Sequence, residues 1–345
     1  MKKIILSVIA IAVGVLNCFA QDDLVATLNH GTTLTTYMGE DALAQAYNAA
    51  AEGDVITLSP GVFVGVDMNK AITLRGAGYK PMASNGYAST QITGGLTIDI
   101  PTEGTATFEM EGIDFLNVIS FQSDKMRPVI VSKSKFRETV YCFGVNMKAI
   151  HCVFPELRAL SYDNNRGRYC NTTLNCQSCV IGMAYSAGLI ENNIGKIIAT
   201  NCIVRYSFGV PYSTLINCVL TASNGYYLDG SSTAHNCVGI NPQGGGLNIF
   251  EYIVDPSNMM IEGEGETAYA KIFKTLKNVG SPSLNETFEL TDAAKTTYLG
   301  DDGTQVGIYG GTAPFTLEST NPQVTKFVVS STTEGSQLKV KINVE

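Results

Sequence analysis

A short β motif recurs five times between residues 150 and 240 of the 345-residue chain, and each copy centres on a cysteine. The five cysteines are Cys152, Cys179, Cys202, Cys218 and Cys237. Successive cysteines are separated by 27, 23, 16 and 19 residues, and Gly, Asn and Ser interrupt the short apolar runs between them. An irregular period near twenty residues is typical of a β-solenoid, in which each coil keeps its strands while its loops vary in length.

The recurring cysteines are expected to line the interior of the solenoid. Equivalent residues of neighbouring coils stack at the strand spacing of about 4.8 Å, so the five thiols would form one column. A small apolar thiol suits a packed interior, and stacked side chains point in parallel, which opposes the geometry of a disulfide. Reduced core cysteines are therefore the favoured interpretation. Disulfides stay open as the alternative. Cleavage of a signal peptide after Ala20 would leave eight of the nine cysteines, and an even number in an exported chain also fits a disulfide framework.

The residue before each cysteine predicts a bend in the chain. Asn201, Asn217 and Asn236 occupy this place in three copies, and His151 and Ser178 occupy it in the other two. Asparagine tolerates the left-handed backbone that a sharp bend between two strands requires. Its amide can also hydrogen-bond to the next asparagine in the stack. We therefore predict a structural asparagine ladder beside the cysteine column.

The residue after each cysteine predicts a covered surface. These five residues are all β-branched and aliphatic, and we call them the aliphatic stripe: Val153, Val180, Ile203, Val219 and Val238. Side chains alternate across a strand, so the stripe points outward if the cysteines point inward. A continuous aliphatic surface is unusual on a solvated face. We expect the C-terminal region of the chain to cover it.

The first twenty residues predict export. Lys2 and Lys3 precede an apolar run over residues 4–16, and Cys18 and Ala20 place small residues at the −3 and −1 positions. This pattern is typical of a secretory signal peptide, and the apolar run is short for a membrane anchor. Lipidation of Cys18 is a further alternative. The protein is expected in the periplasm, at the cell surface or outside the cell, and no later segment predicts a transmembrane helix.

The charge balance disfavours two classes of partner. The formal net charge is −8, and it becomes −10 when Lys2 and Lys3 leave with the signal peptide. An acidic exported protein is a poor candidate for binding nucleic acid or an anionic membrane. Apolar residues make up 45% of the chain and charged residues 16%, a balance that predicts an ordered chain. The sequence does not predict the oligomeric state.

The segment 41–78 resembles the start of a known fold. One helix is predicted over residues 39–53, and three short signatures follow it: Gly53-Asp54, Pro60-Gly61-Val62-Phe63 and Lys70-Ala71-Ile72-Thr73-Leu74. This order is similar to the N-terminal cap and first coil of pectate-lyase-like β-helix proteins. Residues 303–315 look like the closing segment of secreted bacterial members whose activity is mostly unassigned. The resemblance implies an all-β, right-handed parallel β-helix with an N-terminal capping helix, but a fold alone carries no function.

The enzymes of that superfamily imply carboxylate clusters that the repeats do not display. Lyases hold calcium with several oxygen ligands, and hydrolases place two carboxylates across the scissile bond. Between residues 140 and 245 the acids, none of them paired on one strand, are Glu156, Asp163, Glu191 and Asp229. The single Cys-x-x-Cys at Cys176 has no second pair to complete the four ligands of zinc. Neither a metal site nor a cofactor is predicted.

The strongest local group for holding a ligand flanks the long insertion of the 27-residue coil. Its members are Arg158, Tyr162, Asp163, Arg166 and Arg168, and we add Arg205, which extends a later repeat strand. Arginine can hold the carboxylate of an acidic sugar in bidentate geometry, and tyrosine rings can stack on sugars. The competing interpretation is a solvated loop with ordinary charges, with Arg205 as a surface arginine.

The chain after residue 246 loses the repeat. We expect residues up to 320, including a short helix over 267–277, to finish and cap a solenoid domain that spans residues 21–320. Two alternating segments, 323–329 and 337–344, flank a polar connection and predict a hairpin within an extension over 321–345. A lone hairpin is marginally stable. It is therefore expected to dock on the solenoid, with the aliphatic stripe as one possible site, or to extend toward a partner.

Three functions follow from these features. The working hypothesis is a non-catalytic exported β-helix protein that binds a polysaccharide or a cell-surface glycan, because the repeats lack acid clusters. The first alternative is a polysaccharide lyase or glycoside hydrolase that acts on an acidic polysaccharide and assembles its site from residues distant in sequence. The second alternative is a structural or adhesive surface protein.

Overall fold

The computed structural model describes residues 24–344 except 80–88, 101–102, 164–165, 210, 222–227, 242–247, 262, 264, 276–285, 317–323 and 335–336. The predicted signal peptide lies outside the described residues. The described chain is mostly β. Its strands are β1 (Val25–His30), β2 (Thr33–Met38), β3 (Val55–Leu58), β4 (Gly61–Val64), β5 (Thr73–Arg75), β6 (Thr90–Thr93), β7 (Leu96–Ile100), β8 (Phe108–Glu111), β9 (Asp114–Phe115), β10 (Ile119–Ser132), β11 (Lys135–Phe136), β12 (Thr139–Ile150), β13 (Val153–Leu160), β14 (Tyr162–Asp163), β15 (Arg168–Tyr169), β16 (Thr172–Gln177), β17 (Val180–Ser186), β18 (Gly188–Ile190), β19 (Asn193–Thr200), β20 (Ile203–Gly209), β21 (Thr214–Ile216), β22 (Val219–Thr221), β23 (Thr233–His235), β24 (Val238–Ile240), β25 (Met259–Ile261), β26 (Val324–Glu334) and β27 (Gln337–Val344).

In the described residues, three short helices accompany the strands: α1 (Ala42–Ala49), α2 (Gly265–Ile272) and α3 (Asp292–Thr297). Helix α1 lies inside the segment predicted to be helical and buries the face that contains Leu43, Ala46 and Tyr47. Helix α2 begins two residues before the predicted short helix and ends at residue 272. Within the described part of the chain, no helix has the length and apolar character needed to span a bilayer.

Twenty-three of the strands form one long, mostly parallel sheet. Each coil returns to a strand that pairs in parallel with its equivalent in the preceding coil, so three faces of stacked strands arise. The stripe face runs from β4 through β6, β9, β11 and the first residues of β13, β17 and β20 to β22, β24 and β25. The second face contains β7, the first residues of β10 and β12, and the last residues of β13 and β17. The third face contains β2, β1, β3, β5, β8, the last residues of β10 and β12, β16, β19, β21 and β23. This arrangement is compatible with the predicted solenoid.

The recurring cysteines form one interior column. All five are fully buried as free thiols, and the backbone N–H of Cys152 donates to the Sγ of Cys179 at 3.4 Å. The same 3.4 Å contact joins Cys179 to Cys202 and Cys202 to Cys218. Burial raises the pKa of the Cys152 and Cys202 thiols, which disfavours the reactive thiolate.

The bend before each cysteine has the left-handed backbone that the sequence predicts, with φ between 48° and 54° at all five positions. The predicted side-chain ladder is not formed between Asn201 and Asn217. The Asn201 Nδ2 and Asn217 Oδ1 atoms, both in the described part of the chain, are buried without a hydrogen-bond partner. Backbone bonds align the column instead, because the N–H of Asn201 donates to the Ile216 carbonyl at 2.9 Å. Asn201 and Asn217 therefore contribute the left-handed backbone of the bend rather than a side-chain ladder.

The C-terminal region covers the aliphatic stripe, as the sequence predicts. The stripe packs against a second apolar cluster, which we call the cover: Ile261, Ala268, Tyr269, Ile272, Phe273, Phe288, Leu290, Ala294, Val306 and Ile308. Hydrogen bonds join the end of this region to the bends. The Gly307 N–H donates to the Asn217 carbonyl at 2.8 Å. The Ala313 carbonyl accepts from Ser178 Oγ at 2.7 Å and lies 3.1 Å from His151 Nε2. The stripe is therefore occupied before the hairpin begins, which corrects its proposed use as the hairpin's dock.

The last two strands, β26 and β27, pair antiparallel with each other. They form a two-stranded sheet of their own, separate from the 23-stranded sheet. The pairing occupies the segment in which the alternating pattern predicts a hairpin.

Candidate functional site

The long insertion after β13 forms a small antiparallel pair, β14 and β15, that gathers most of the predicted ligand residues. Tyr162 pairs with Tyr169, and their ring centroids are 4.9 Å apart. Asp163 pairs with Arg168 in the same ladder. This short hairpin directs Arg166 and Arg168 toward residues of earlier coils.

A cleft of about 610 Å³ lies where the insertion meets the second face. Its lining residues are Asn69, Asp99, Ile100, Glu103, Asp124, Arg166 and Arg168. Asp99 belongs to β7, and Asp124 lies in β10 where the register with β12 shifts between Gln122 and Arg127. That irregularity exposes Asp124 beside the insertion.

Arg166 is the centre of the cleft. Its guanidinium contacts the Asp99 carboxylate, and its Nη1 donates to Asp124 Oδ1 at 2.8 Å. Its Nε lies 3.7 Å from Asp163 Oδ2, and its backbone N–H donates to Asp163 Oδ1 at 3.3 Å. Burial disfavours the charged guanidinium, but the three carboxylates outweigh burial and raise the pKa of Arg166. Arg166 is therefore a fixed cation in a carboxylate cradle.

Arg168 shares the same cradle. It contacts Asp124, and its Nη2 donates to the Ser123 carbonyl at 3.2 Å. Asp163, which is only 1% exposed, contacts Arg166 from the buried side of the cleft. Arg166 and Arg168, two of the arginines predicted to hold an acidic sugar, are thus already paired with carboxylates. Glu103 adds further negative charge to the lining.

Arg158 lies on the second face, outside the lining of the cleft. Its guanidinium lies over the rings of Tyr141, at 5.3 Å, and of Tyr185, at 5.8 Å. Its Nε donates to Glu156 Oε1 at 2.6 Å, and Thr139 donates to the other oxygen of that carboxylate at 2.9 Å. The three stacked residues are register partners in β12, β13 and β17, and Tyr185 remains 48% exposed.

Arg205 does not belong to a ligand surface, which corrects its inclusion in the predicted set. It is 3% exposed, and its guanidinium lies 6.0 Å from the ring of Tyr269 and 5.6 Å from that of Phe288. Burial lowers its pKa. The cover encloses this arginine, so it has a structural role in the interface with the stripe face.

A second concavity of about 600 Å³ lies on the third face. Residues of consecutive coils line it: Pro128, Val129, Ile130, Asn146, Lys148, Asn175, Cys176, Gln177, Ile198 and Thr200. Asn175 Nδ2 donates to Asn146 Oδ1 at 3.3 Å between the neighbouring strands β16 and β12. The lining combines polar and apolar residues of this sheet, and Lys148 is the cation among them.

A serine, a histidine and two aspartates meet at the last bend, but they do not form a nucleophilic triad. His235 Nδ1 lies 2.7 Å from Asp255 and 3.1 Å from Ser257 Oγ, and its Nε2 lies 2.9 Å from Asp301. A triad needs serine and aspartate on opposite ring nitrogens. Here both contact Nδ1, and Ser257 Oγ donates to Asp255 at 2.6 Å, so the group joins three chain segments instead.

Asp99, Glu103 and Asp124 are not among the predicted site residues, because they precede the cysteine repeats on which the prediction rests. The available signal was the alternation of β7, in which Asp99 falls on the outward side between buried Ile98 and Ile100. Among the residues that the structure describes, no group of three or more His, Cys, Asp or Glu side chains is arranged to hold a metal ion.

Comparison with known proteins adds no identity to this geometry. The chain matches no known protein family, no curated protein and no solved structure.

Proposed function

We propose that this protein is an exported, right-handed parallel β-helix protein that binds a polysaccharide or a cell-surface glycan without cleaving it. The signal-peptide pattern, the pectate-lyase-like resemblance of residues 41–78 and the long, mostly parallel sheet support this reading. Helix α1 would act as the N-terminal cap, because its apolar face is buried beside β1 and β2.

The observation that carries the proposal is the fixed arrangement of Arg166 between Asp99 and Asp124 in the open cleft. Carboxylates accept hydrogen bonds from pairs of sugar hydroxyls, and a preorganised site loses little entropy on binding. The carboxylates neutralise both arginines, so an acidic sugar would have to displace Asp99 or Asp124. We therefore favour a neutral glycan over the acidic one that the sequence suggested.

The cleft and the tyrosine stack share the second face, which allows an extended ligand. Thr97 begins a register column that continues through Ser120, Tyr141 and Arg158 to Tyr185, and Asp99 lies two residues further along β7. Four strand spacings separate β7 from β17 along this column, or about 19 Å. An oligosaccharide laid across the coils would reach from the cleft to the exposed ring of Tyr185.

A glycan array followed by calorimetry tests the proposal. We expect binding to neutral glycans, a loss of at least about tenfold in affinity for Asp124→Asn, and a comparable loss for Tyr185→Ala if the glycan spans the face. Glu251→Gln is the matched control, since it removes the same charge from an exposed residue outside the second face. An array without hits would overturn the proposal and favour a structural or adhesive role.

The cleft also gives the enzymatic alternative a specific form. Asp99 and Asp124 both contact the Arg166 guanidinium, and a glycoside hydrolase needs two carboxylates near one sugar linkage. Polysaccharides incubated with the protein, with and without calcium, would then release new reducing ends or unsaturated products. Activity lost in both Asp99→Asn and Asp124→Asn, but kept in Glu251→Gln, would replace the binding proposal with this one.

A further inference from the structure

Strand β2 ends the third face at its N-terminal side. It pairs antiparallel with β1, and β1 continues the face through its antiparallel pairing with β3. Within the described residues, β2 has no strand on its other side. An open edge presents unpaired backbone N–H and C=O groups, and natural proteins usually protect such edges with charges, prolines or bulges.

The backbone groups that face the open edge can be assigned from the hairpin ladder. The Gly39 N–H donates to the Leu24 carbonyl at 2.8 Å, which makes that pair a hydrogen-bonded one. Hydrogen-bonded and non-hydrogen-bonded pairs alternate along an antiparallel ladder. The N–H and C=O groups of Leu34, Thr36 and Met38 therefore point away from β1, toward the open edge.

The side chains of this edge lack the usual protection. Residues 24–39 contain no Lys, Arg, Asp or Glu, although the whole chain carries 54 such residues, 23 basic and 31 acidic. Leu34 is 69% exposed and Met38 is 60% exposed. Tyr37 points the other way and packs against the core, so the outward face of the strand is fixed. An uncharged edge with exposed apolar residues is suited to pairing with another strand.

We propose that this edge pairs antiparallel with β2 of a second copy of the chain, with Thr36 on the two-fold axis. In that register Leu34 lies opposite the partner's Met38, Thr36 opposite the partner's Thr36, and Met38 opposite the partner's Leu34. All three residues with outward backbone groups then exchange two hydrogen bonds each, six in total. Each exposed apolar side chain also gains an apolar neighbour across the axis.

The strand's own pattern favours a second copy over an unrelated strand. A two-fold axis perpendicular to a sheet returns each face to itself, so residues paired across it must share a face. Leu34, Thr36 and Met38 share the outward face and are symmetric about Thr36. Shifting the register by two residues, so that Leu34 lies opposite the partner's Thr36, leaves Met38 unpaired and forms four of the six bonds.

Mass measurement in solution tests the interface. We expect the purified protein to sediment as a dimer that dissociates on dilution, and Thr36→Lys to be monomeric because it places two ammonium groups side by side at the axis. Gln45→Lys is the matched control, since it adds the same charge on the exposed side of α1 and should stay dimeric. Unchanged melting temperatures for both variants would show that neither is unfolded.

Cross-linking supplies an independent readout of the register. Hydrogen-bonded antiparallel pairs have Cα atoms about 5.5 Å apart, within the range that a disulfide spans. Thr36→Cys should therefore form a covalent dimer on mild oxidation, whereas Gln45→Cys should not. A monomer at all concentrations, or a dimer that Thr36→Lys leaves intact, would overturn the proposal. So would association that grows beyond a dimer and disappears when residues 324–344 are removed, because the C-terminal hairpin would then be the occupant.

Discussion

The two halves of the stripe face differ in their outward residues. One register column runs along this face from Val62 through Gln91, Asp114 and Lys135 to Val153, and it continues through the other stripe residues. Its first half is solvated or polar, and its second half is aliphatic and covered. The change occurs between Lys135 and Val153, which are direct neighbours in the ladder.

The polar half satisfies its buried carboxylate locally. Asp114 is 2% exposed and accepts two bonds from Arg137, at 3.0 Å from Nε and 2.6 Å from Nη2. This pairing raises the pKa of Arg137 and compensates the charge of the buried carboxylate. The aliphatic half has no such partners and depends on the cover to exclude water. An aliphatic outward residue therefore marks a coil on which the cover packs.

The sharpest way to break this comparison is to place the same charge at both ends of the column. Ile203→Asp buries a carboxylate under the cover, where we expect a loss of at least about 3 kcal/mol in stability because the buried charge loses its hydration. Val62→Asp places it on a residue that is 48% exposed, where we expect a change within about 0.5 kcal/mol. Thermal unfolding and binding of a hydrophobic dye would measure both.

Equal effects of the two substitutions would contradict the comparison. A small effect of Ile203→Asp would mean that the cover does not pack on the stripe in solution. A large effect of Val62→Asp would mean that another part of the chain covers the first coils as well.

The stripe and its cover were predictable because both follow from period-two alternation around one repeated motif. The motif fixed the inward cysteines, and the outward residues then required a covering segment. The cleft was not predictable in the same way. Asp99 and Asp124 lie 67 and 42 residues before Arg166, and only the register of the coils brings them together.

Arg205 was predicted to be a ligand-binding or surface residue, and the structure buries it. Its place next to a repeat strand suggested a surface arginine, because charged residues are seldom fully buried. The aromatic rings that enclose it, Tyr269 and Phe288, come from the cover. A repeat motif describes a residue's own coil and gives no information about a segment that folds back over it.

A smaller effect is expected where the cover meets the last bend. His235 binds Asp255 through Nδ1 and Asp301 through Nε2, and Asn236 Nδ2 donates to Asp301 at 2.6 Å. The hydrogen bonds to Asp255 and then to Asp301 raise the pKa of His235 above its ordinary value of 6.5. The stabilisation from protonated His235 is complete below that ordinary value and is lost as pH rises through the raised pKa.

Hydrogen exchange of residues 298–310 should therefore become faster, relative to intrinsic exchange, as the pH rises from 6 through the pKa of His235. His235→Gln should remove this pH dependence, because glutamine does not titrate. Ser257 and Asp255 would remain in place, since Ser257 Oγ donates to Asp255 independently of the histidine. Exchange that depends on pH equally in both proteins would assign the effect to another group.

The smallest effect is expected from removing the C-terminal hairpin. Truncation after Phe315 keeps the stripe's contacts with Val306 and Ile308, and it keeps the bond from the Phe315 N–H to the Ile308 carbonyl at 2.7 Å. The cover would remain anchored to the bends through the Ala313 carbonyl. We therefore expect an unchanged melting temperature and no new binding of a hydrophobic dye, in contrast to Ile203→Asp. A lower melting temperature with strong dye binding would show that the hairpin also covers apolar surface, and the division between an anchored cover and a separate hairpin would then be wrong.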